Sequence, residues 1–161
     1  MNGETTSSAA SPEQRLEELG LTLPSVAAPV AAYVPAVRTG PYVYTAGQLP
    51  LRDGELVRTG KVGAEVSPEE AYECAQQCLL NALAAVHAQV GDLSAVARVV
   101  KIVGFVASAP GFTAQPQVIN GASELVGQVF GAAGQHARSA VGVAVLPLDA
   151  PVEIELIAEV R

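Results

Sequence analysis

Apolar residues follow two periodicities along this chain, and the switches between them mark out its elements. Between Ser67 and Gly91, the residues Ala71, Ala75, Cys78, Leu79, Ala82, Leu83, Val86 and Val90 recur every three or four places, the stripe of a helix buried on one side. Ser67-Pro68-Glu69-Glu70 opens that helix: Ser67 caps free backbone N–H groups and Glu70 reaches back to the cap. Both carboxylates also lie at the positive end of the helix dipole. Gly91 ends the run, and the small residues on its face allow close approach to a sheet. Pro116–Phe130 predicts a second helix, with Val118, Ile119, Ala122, Leu125, Val126, Val129 and Phe130 on its apolar side. A short helix starts at Ser11-Pro12-Glu13-Gln14 and stops at Gly20.

Other segments read as strands. Val96–Val106 is apolar almost throughout and predicts a central strand covered on both faces. In Val152–Val160 the apolar Val152, Ile154, Leu156 and Ala158 alternate with Glu153, Glu155, Ile157 and Glu159, which predicts one apolar and one mostly acidic face. Ser139–Val145 precedes it. Upstream, Ala36–Arg38 and Tyr42–Ala46 flank a Thr39-Gly40-Pro41 turn, and Arg52-Asp53-Gly54-Glu55 predicts a hairpin leading into Leu56–Arg58. Residues 1–10 read as a mobile leader, and Pro24 and Pro29 as marks of an extended or looped segment. The element order predicts one two-layer α+β domain over residues 26–161, behind an N-terminal extension, 1–25, that carries the short helix.

Composition narrows the function. Half of the 161 residues are apolar and 16% are charged, enough for a sizeable core, built mainly from Val, Leu, Ile and Ala because Trp is absent. A formal charge of −7 without a basic stripe argues against a general nucleic-acid binder. No run approaches eighteen apolar residues, so no ordinary membrane-spanning helix is expected. Without a basic head and apolar run at the N-terminus, and with Cys74 and Cys78 read as a reduced pair, the expected compartment is cytoplasmic. The apolar excess also fits a surface partly covered by another copy of the chain.

Few residues stand out as carriers of chemistry. Arg138 follows a Gly-rich loop at the mouth of an apolar strand, where a guanidinium either clamps a carboxylate or forms a structural ion pair. If the last two strands are antiparallel neighbours, Glu153 lies near the same sheet end. An arginine beside it keeps the carboxylate ionised, suited to holding water rather than donating a proton. The alternative is a solvated residue on a polar face, which Glu155 shares. Asn120 interrupts an apolar helical run and either binds substrate or bonds to the adjacent loop. Tyr33 is a pocket lid or an anchor. His87 and His136 lack metal or triad spacing and read as surface residues. Neither a Gly-x-Ser-x-Gly elbow, a phosphate loop nor a dinucleotide fingerprint occurs.

Ala46-Gly47-Gln48-Leu49-Pro50, Val118-Ile119-Asn120, Ala137-Arg138-Ser139-Ala140-Val141 and Leu146-Pro147 with Val152-Glu153-Ile154-Glu155 resemble, in order, the signatures of the reactive-intermediate deaminase (YjgF/YER057c/UK114) family. The resemblance covers about Val26 to Val160 and is closest to a divergent bacterial subgroup. It implies a chorismate-mutase-like fold, a mixed sheet with two long helices on one face, and a homotrimer whose sheets form a barrel with ligand clefts between subunits. It further implies hydrolysis of 2-aminoacrylate and related enamines or imines to a 2-keto acid and ammonia, with no metal or organic cofactor. Arg138 matches the arginine that clamps the substrate carboxylate and Glu153 the glutamate associated with the hydrolytic water. Tyr33, Gly47 and Asn120 match further pocket positions. Ala46 and Ala140 stand where the family deaminases commonly have serine and cysteine, so the implied pocket wall is more apolar. The alternative is a noncatalytic small-metabolite-binding or chaperone-like trimer; a ribonuclease fits the acidic charge poorly.

Overall fold

The computed structural model describes residues 9–26 and 32–161. Residues 1–8 of the expected leader, and Pro29, lie outside the described residues. Helix α1 (Pro12–Glu18) carries the capping box its sequence spells: Gln14 N–H donates to Ser11 Oγ at 3.1 Å, and Ser11 N–H to Gln14 Oε1 at 2.8 Å. It docks through buried Leu16, which belongs to the same core as the rest of the chain. Glu13 also accepts from Leu93 N–H at 2.6 Å, and Arg15 Nη1 donates to Val129 O at 3.3 Å.

β1 (Ala36–Thr39) and β2 (Tyr42–Thr45) form the expected antiparallel pair. β3 (Leu51–Arg52) and β4 (Glu55–Leu56) form a separate hairpin around Asp53 and Gly54, both at positive φ. α2 (Pro68–Val90) has the second capping box, between Ser67 and Glu70, and ends at Gly91 in the left-handed conformation. β5 (Val96–Ala107) then leads through α3 (Gln115–Phe130) to β6 (Ala137–Val143), and β7 (Val152–Val160) closes the chain.

The main sheet has the order β1-β2-β7-β5-β6, with β5 and β6 parallel and the other pairs antiparallel. α2 and α3 cover one face, giving the expected mixed-sheet, two-layer α+β architecture. β5 is central, but among the described residues it is covered on one face only. Val99, Ile102 and Val106 are buried under the helices, while Val100, Val103 and Phe105 keep part of their surface. Two register shifts against β7, between Val96 and Arg98 and between Val99 and Lys101, break the two-residue alternation and leave an almost continuous apolar run. β7 has no such interruption: Val152, Ile154, Leu156 and Ala158 are buried and the intervening residues face the open side.

Two glycines set the depth at which α3 lies. A Cβ on Gly104 of β5 would run into the Ile119 side chain, and a Cβ on Gly121 of α3 would run into the Tyr72 carbonyl of α2. α3 is thus seated against strand and helix at van der Waals distance. Gly121→Ala and Gly104→Ala are each expected to destabilise the protein by at least about 1–3 kcal/mol: the obstacle at Gly121 is backbone, and the one at Gly104 is Ile119, fully buried and held to one main rotamer by its β-branch in a helix. Denaturant unfolding of both variants checks this; equal stability to the parent would refute the tight seating.

Candidate functional site

Arg138 is the second residue of β6, inside the strand rather than at its mouth. It lies beside Ile102 of β5 and points to the helix-covered face. Its Nη1 donates to Asn120 Oδ1 at 2.7 Å and to Ser123 Oγ at 3.2 Å, and its Nη2 to the Pro116 carbonyl at 3.4 Å. Asn120 and Ser123 are three residues apart on α3, which puts both on one face. Among the described residues no carboxylate lies within ion-pairing reach of Arg138; the one ion pair is Arg58–Glu70. The structural ion-pair alternative therefore does not describe Arg138 here. Neutral acceptors orient the guanidinium without cancelling its charge.

A guanidinium has five N–H donors and two edges that can grip a carboxylate bidentately. Asn120 and Ser123 occupy both hydrogens of Nη1. Pro116 takes one of Nη2 through a long contact. Among the described residues Nε–H and one hydrogen of Nη2 have no partner.

Glu153 of β7 pairs with Phe105 and faces the open side of the sheet. Its carboxylate lies over Gly47, where any side chain would collide with it. Gly47 is held there by its neighbour: Gln48 N–H donates to Ile154 O at 2.8 Å and Ile154 N–H to Gln48 O at 3.0 Å. Burial pushes the Glu153 carboxyl above its ordinary range, and the like charge of Glu155 adds to the rise. The arginine expected beside it is not among these causes: burial and a like charge, not a guanidinium, set the direction of the shift.

β6 and β7 are not neighbours, because β5 runs between them. Arg138 and Glu153 are consequently two strands and three register positions apart, roughly 10 Å in each direction, and on opposite faces. The expected single sheet end shared by these two residues is not formed within one chain. Asn120 bonds to Arg138 rather than to a loop. Ala140 lies beside Gly104, two residues beyond Arg138 on the same face, and packs on the core. Ala46 donates its N–H to Pro35 O at 2.8 Å, near the other side of the sheet. Tyr33 precedes edge strand β1 and is half exposed. The chain thus gathers Arg138 with Asn120 at one edge and Glu153 with Gly47 on the open face, and does not bring Tyr33 into either group.

Ser123 and His136 were not singled out as site residues by sequence, although signals existed. Ser123 follows Asn120 at helical spacing, and His136 precedes Arg138 at strand spacing. His136 Nε2 lies 2.9 Å from Ser123 Oγ, and its Nδ1 lies 2.6 Å from Gly134 O. Cys74 and Cys78 are unpaired and buried; burial pushes the Cys74 thiol up to about 11 and the Cys78 thiol up as well.

A carboxyl whose folded-state pKa is raised loses stability for the fold as pH climbs through its unfolded range and into its folded range. Glu153→Gln is therefore expected to raise the melting temperature at pH 7, and the gain is expected to shrink as pH is lowered towards 4. Thermal unfolding at several pH values checks this; a gain independent of pH would contradict the raised carboxyl.

Residues 13–160 match the family model described as "YjgF/chorismate_mutase-like, putative endoribonuclease". The chain is 44% identical over 147 residues to Protein TCP17 of Trypanosoma cruzi, covering 91% of this chain and 92% of that protein. It superposes on the crystal structure of Atu1372, a protein of unknown function from Agrobacterium tumefaciens, with a TM-score of 0.88 and 48% identity over 93% of this chain and 92% of that one. Against E. coli TdcF with bound serine, the TM-score is 0.61 and the identity 29% over 87% of this chain and 95% of the other. No helix among the described residues is long and apolar enough to cross a membrane. With the family model spanning nearly the whole domain, the chain belongs to the YjgF/RidA (UK114) family.

Proposed function

We propose that the protein is a homotrimeric hydrolase that converts small reactive enamine or imine carboxylates, of the 2-aminoacrylate type, to a 2-keto acid and ammonia. The observation that carries this reading is that, among the described residues, Nε–H and one Nη2 hydrogen of Arg138 have no partner; along the Nε/Nη2 edge they make a fork of two parallel donors suited to one carboxylate. Membership in a family linked to enamine and imine chemistry supports the reaction class. The serine bound to TdcF supports a small amino-acid-like ligand.

In the proposed reaction, protonation of the enamine at its terminal carbon gives the iminium ion, the protonated form of the imine. Water then adds to the C=N carbon, the π electrons moving to nitrogen and the water's proton to Glu153; that proton passes on to the carbinolamine nitrogen, which leaves as ammonia while the hydroxyl gives up its own proton to become the C=O of the keto acid. Arg138 holds the carboxylate, which fixes where the electrophilic carbon lies. Glu153 holds the water and accepts its proton, a role helped by the burial that raises its carboxyl and so makes its carboxylate a stronger base.

Arg138 and Glu153 cannot meet on one small substrate within a single chain, so the reading requires neighbouring copies. Two features support that assembly. The sheet ends in two edges, β1 and β6, with Arg138 on the second. Its uncovered face also exposes Val37, Tyr42, Tyr44 and Val141, an apolar surface of the kind another copy would bury. The second reading, a noncatalytic metabolite-binding trimer, uses the same cleft without Glu153 chemistry; Ala46 and Ala140 favour it by leaving the implied wall without side-chain donors.

An assay generating 2-aminoacrylate in situ, read as ammonia and pyruvate release, tests the proposal. The protein should accelerate release, and Arg138→Ala should lower kcat/KM by about a hundredfold or more, the value of two charge-assisted hydrogen bonds. Arg138→Lys should recover only part, since an ammonium cannot grip both oxygens in one plane. No acceleration by the folded protein, together with pyruvate binding that depends on Arg138, would favour the noncatalytic reading.

A further inference from the structure

We infer that Ser123 and His136 form a brace that fixes which edge of the Arg138 guanidinium faces a ligand carboxylate, making both of them positioning residues of the proposed site. The argument starts at the Gly134 carbonyl. That oxygen can only accept, and it lies 2.6 Å from His136 Nδ1, so Nδ1 carries a hydrogen. In the neutral ring Nε2 then presents a lone pair, and the Ser123 hydroxyl 2.9 Å away donates to it. With its hydrogen committed to His136, Ser123 Oγ turns its lone pairs to Arg138 Nη1 at 3.2 Å.

The chain of bonds is directional from end to end: Arg138 donates to Ser123, Ser123 to His136, and His136 to Gly134. Asn120 takes the other Nη1 hydrogen at 2.7 Å. Nη1 is thereby removed from ligand binding, and the guanidinium is left with the Nε/Nη2 edge as its bidentate face. Without His136 the Ser123 hydroxyl is free to rotate towards a carbonyl in the preceding turn of α3, as helical serines do, and its hold on Nη1 slackens. The guanidinium can then turn its Nη1/Nη2 edge outward. The brace joins three elements, α3, the 3₁₀ turn at Gly131–Gly134 and β6, so it also registers how α3 lies against the sheet. The charged groups on neighbouring elements are Arg98, which shares a shallow recess with His136, and Lys101, which pairs with Ala137.

This inference deepens the proposed carboxylate clamp and rests on it, so its test separates the two. Pyruvate is titrated calorimetrically into the full chain and into Ser123→Ala, His136→Ala, the double variant and Arg138→Ala, with Ser123→Thr as the conservative rescue. Each single brace variant is expected to weaken pyruvate binding roughly three- to tenfold, less than the loss of a hydrogen bond to the ligand itself, because the variant loosens the guanidinium without removing a donor from it. The double variant should be no weaker than Ser123→Ala, because both act through the same Nη1 contact. Ser123→Thr, which keeps the hydroxyl, should restore most of the affinity.

Additive losses, or unchanged affinity in Ser123→Ala while Arg138→Ala abolishes binding, would overturn the brace and leave the clamp standing. If Arg138→Ala binds as the parent does, or the parent does not bind pyruvate, the clamp fails, and nitrogen-15 NMR decides on the brace. The brace requires a hydrogen on His136 Nδ1 and slowed rotation of the Arg138 Nη1 group that speeds up in Ser123→Ala. A hydrogen on Nε2 alone, or rotation insensitive to Ser123, overturns it.

Discussion

Everything at the β6 edge depends on how closely α3 is pressed between α2 and the sheet. At Gly121 the helix meets the backbone of α2, and at Gly104 the strand yields room for Ile119. The next residue after Ile119 is Asn120, and Ser123 lies one turn on, so the apolar contact and the polar one are parts of a single docking. Were α3 to ride a methyl group higher, the 2.7 Å bond between Asn120 and Arg138 would lengthen beyond a useful hydrogen bond. Packing in the core is therefore what turns a flexible arginine into a directed one, with side-chain entropy lost at folding rather than on ligand binding.

The separation of Arg138 and Glu153 has an electrostatic consequence. An adjacent guanidinium would pull the Glu153 carboxyl down and occupy the very donors that the proposed reading gives to a ligand. The fold does the opposite. Arg138 is surrounded by neutral oxygens, and Glu153 is half-buried beside Glu155 with Gly47 beneath it. Each group keeps a state that pairing would erase. On the proposed reading the two come together only across a junction between copies, with the substrate carboxylate between the cation and the base.

Local signals in the sequence located most elements. Both capping boxes, the stripes of α2 and α3 and the alternation of β7 are set by residues within a few positions of one another, and they stand as read. Two features were not legible because they arise from long-range pairing. The register shifts in β5 exist only against β7, so its apolar run looked like a strand covered twice. The last two strands, separated by only eight residues, looked like neighbours, yet the α3 crossover places β6 parallel to β5 and leaves β7 the other flank. The linking segment accommodates this with Leu148 and Asp149 at positive φ, a conformation that Asp adopts more readily than most residues but that nothing about Leu148 announces. Arg138, Asn120, Gly47 and Glu153 were each singled out by sequence, but their grouping into two clusters belongs to the topology.

Ala140 bears on what such a site could discriminate. It sits two residues beyond Arg138 on the same face of β6, beside Gly104, where the strand is closest to α3. A methyl group there offers no hydrogen bond, and Ala46 likewise contributes only backbone groups. An apolar wall separates ligands that differ by one methylene by only about 1–3 kcal/mol, whereas a polar site left unpaired rejects a ligand far more strongly. On the proposed reading, selectivity then falls mainly on the carboxylate, through the edge of Arg138 that Asn120 and Ser123 leave open. Small acids with different side chains should be admitted on similar terms, and a molecule lacking the carboxylate should be excluded by the unpaired charge it would leave behind.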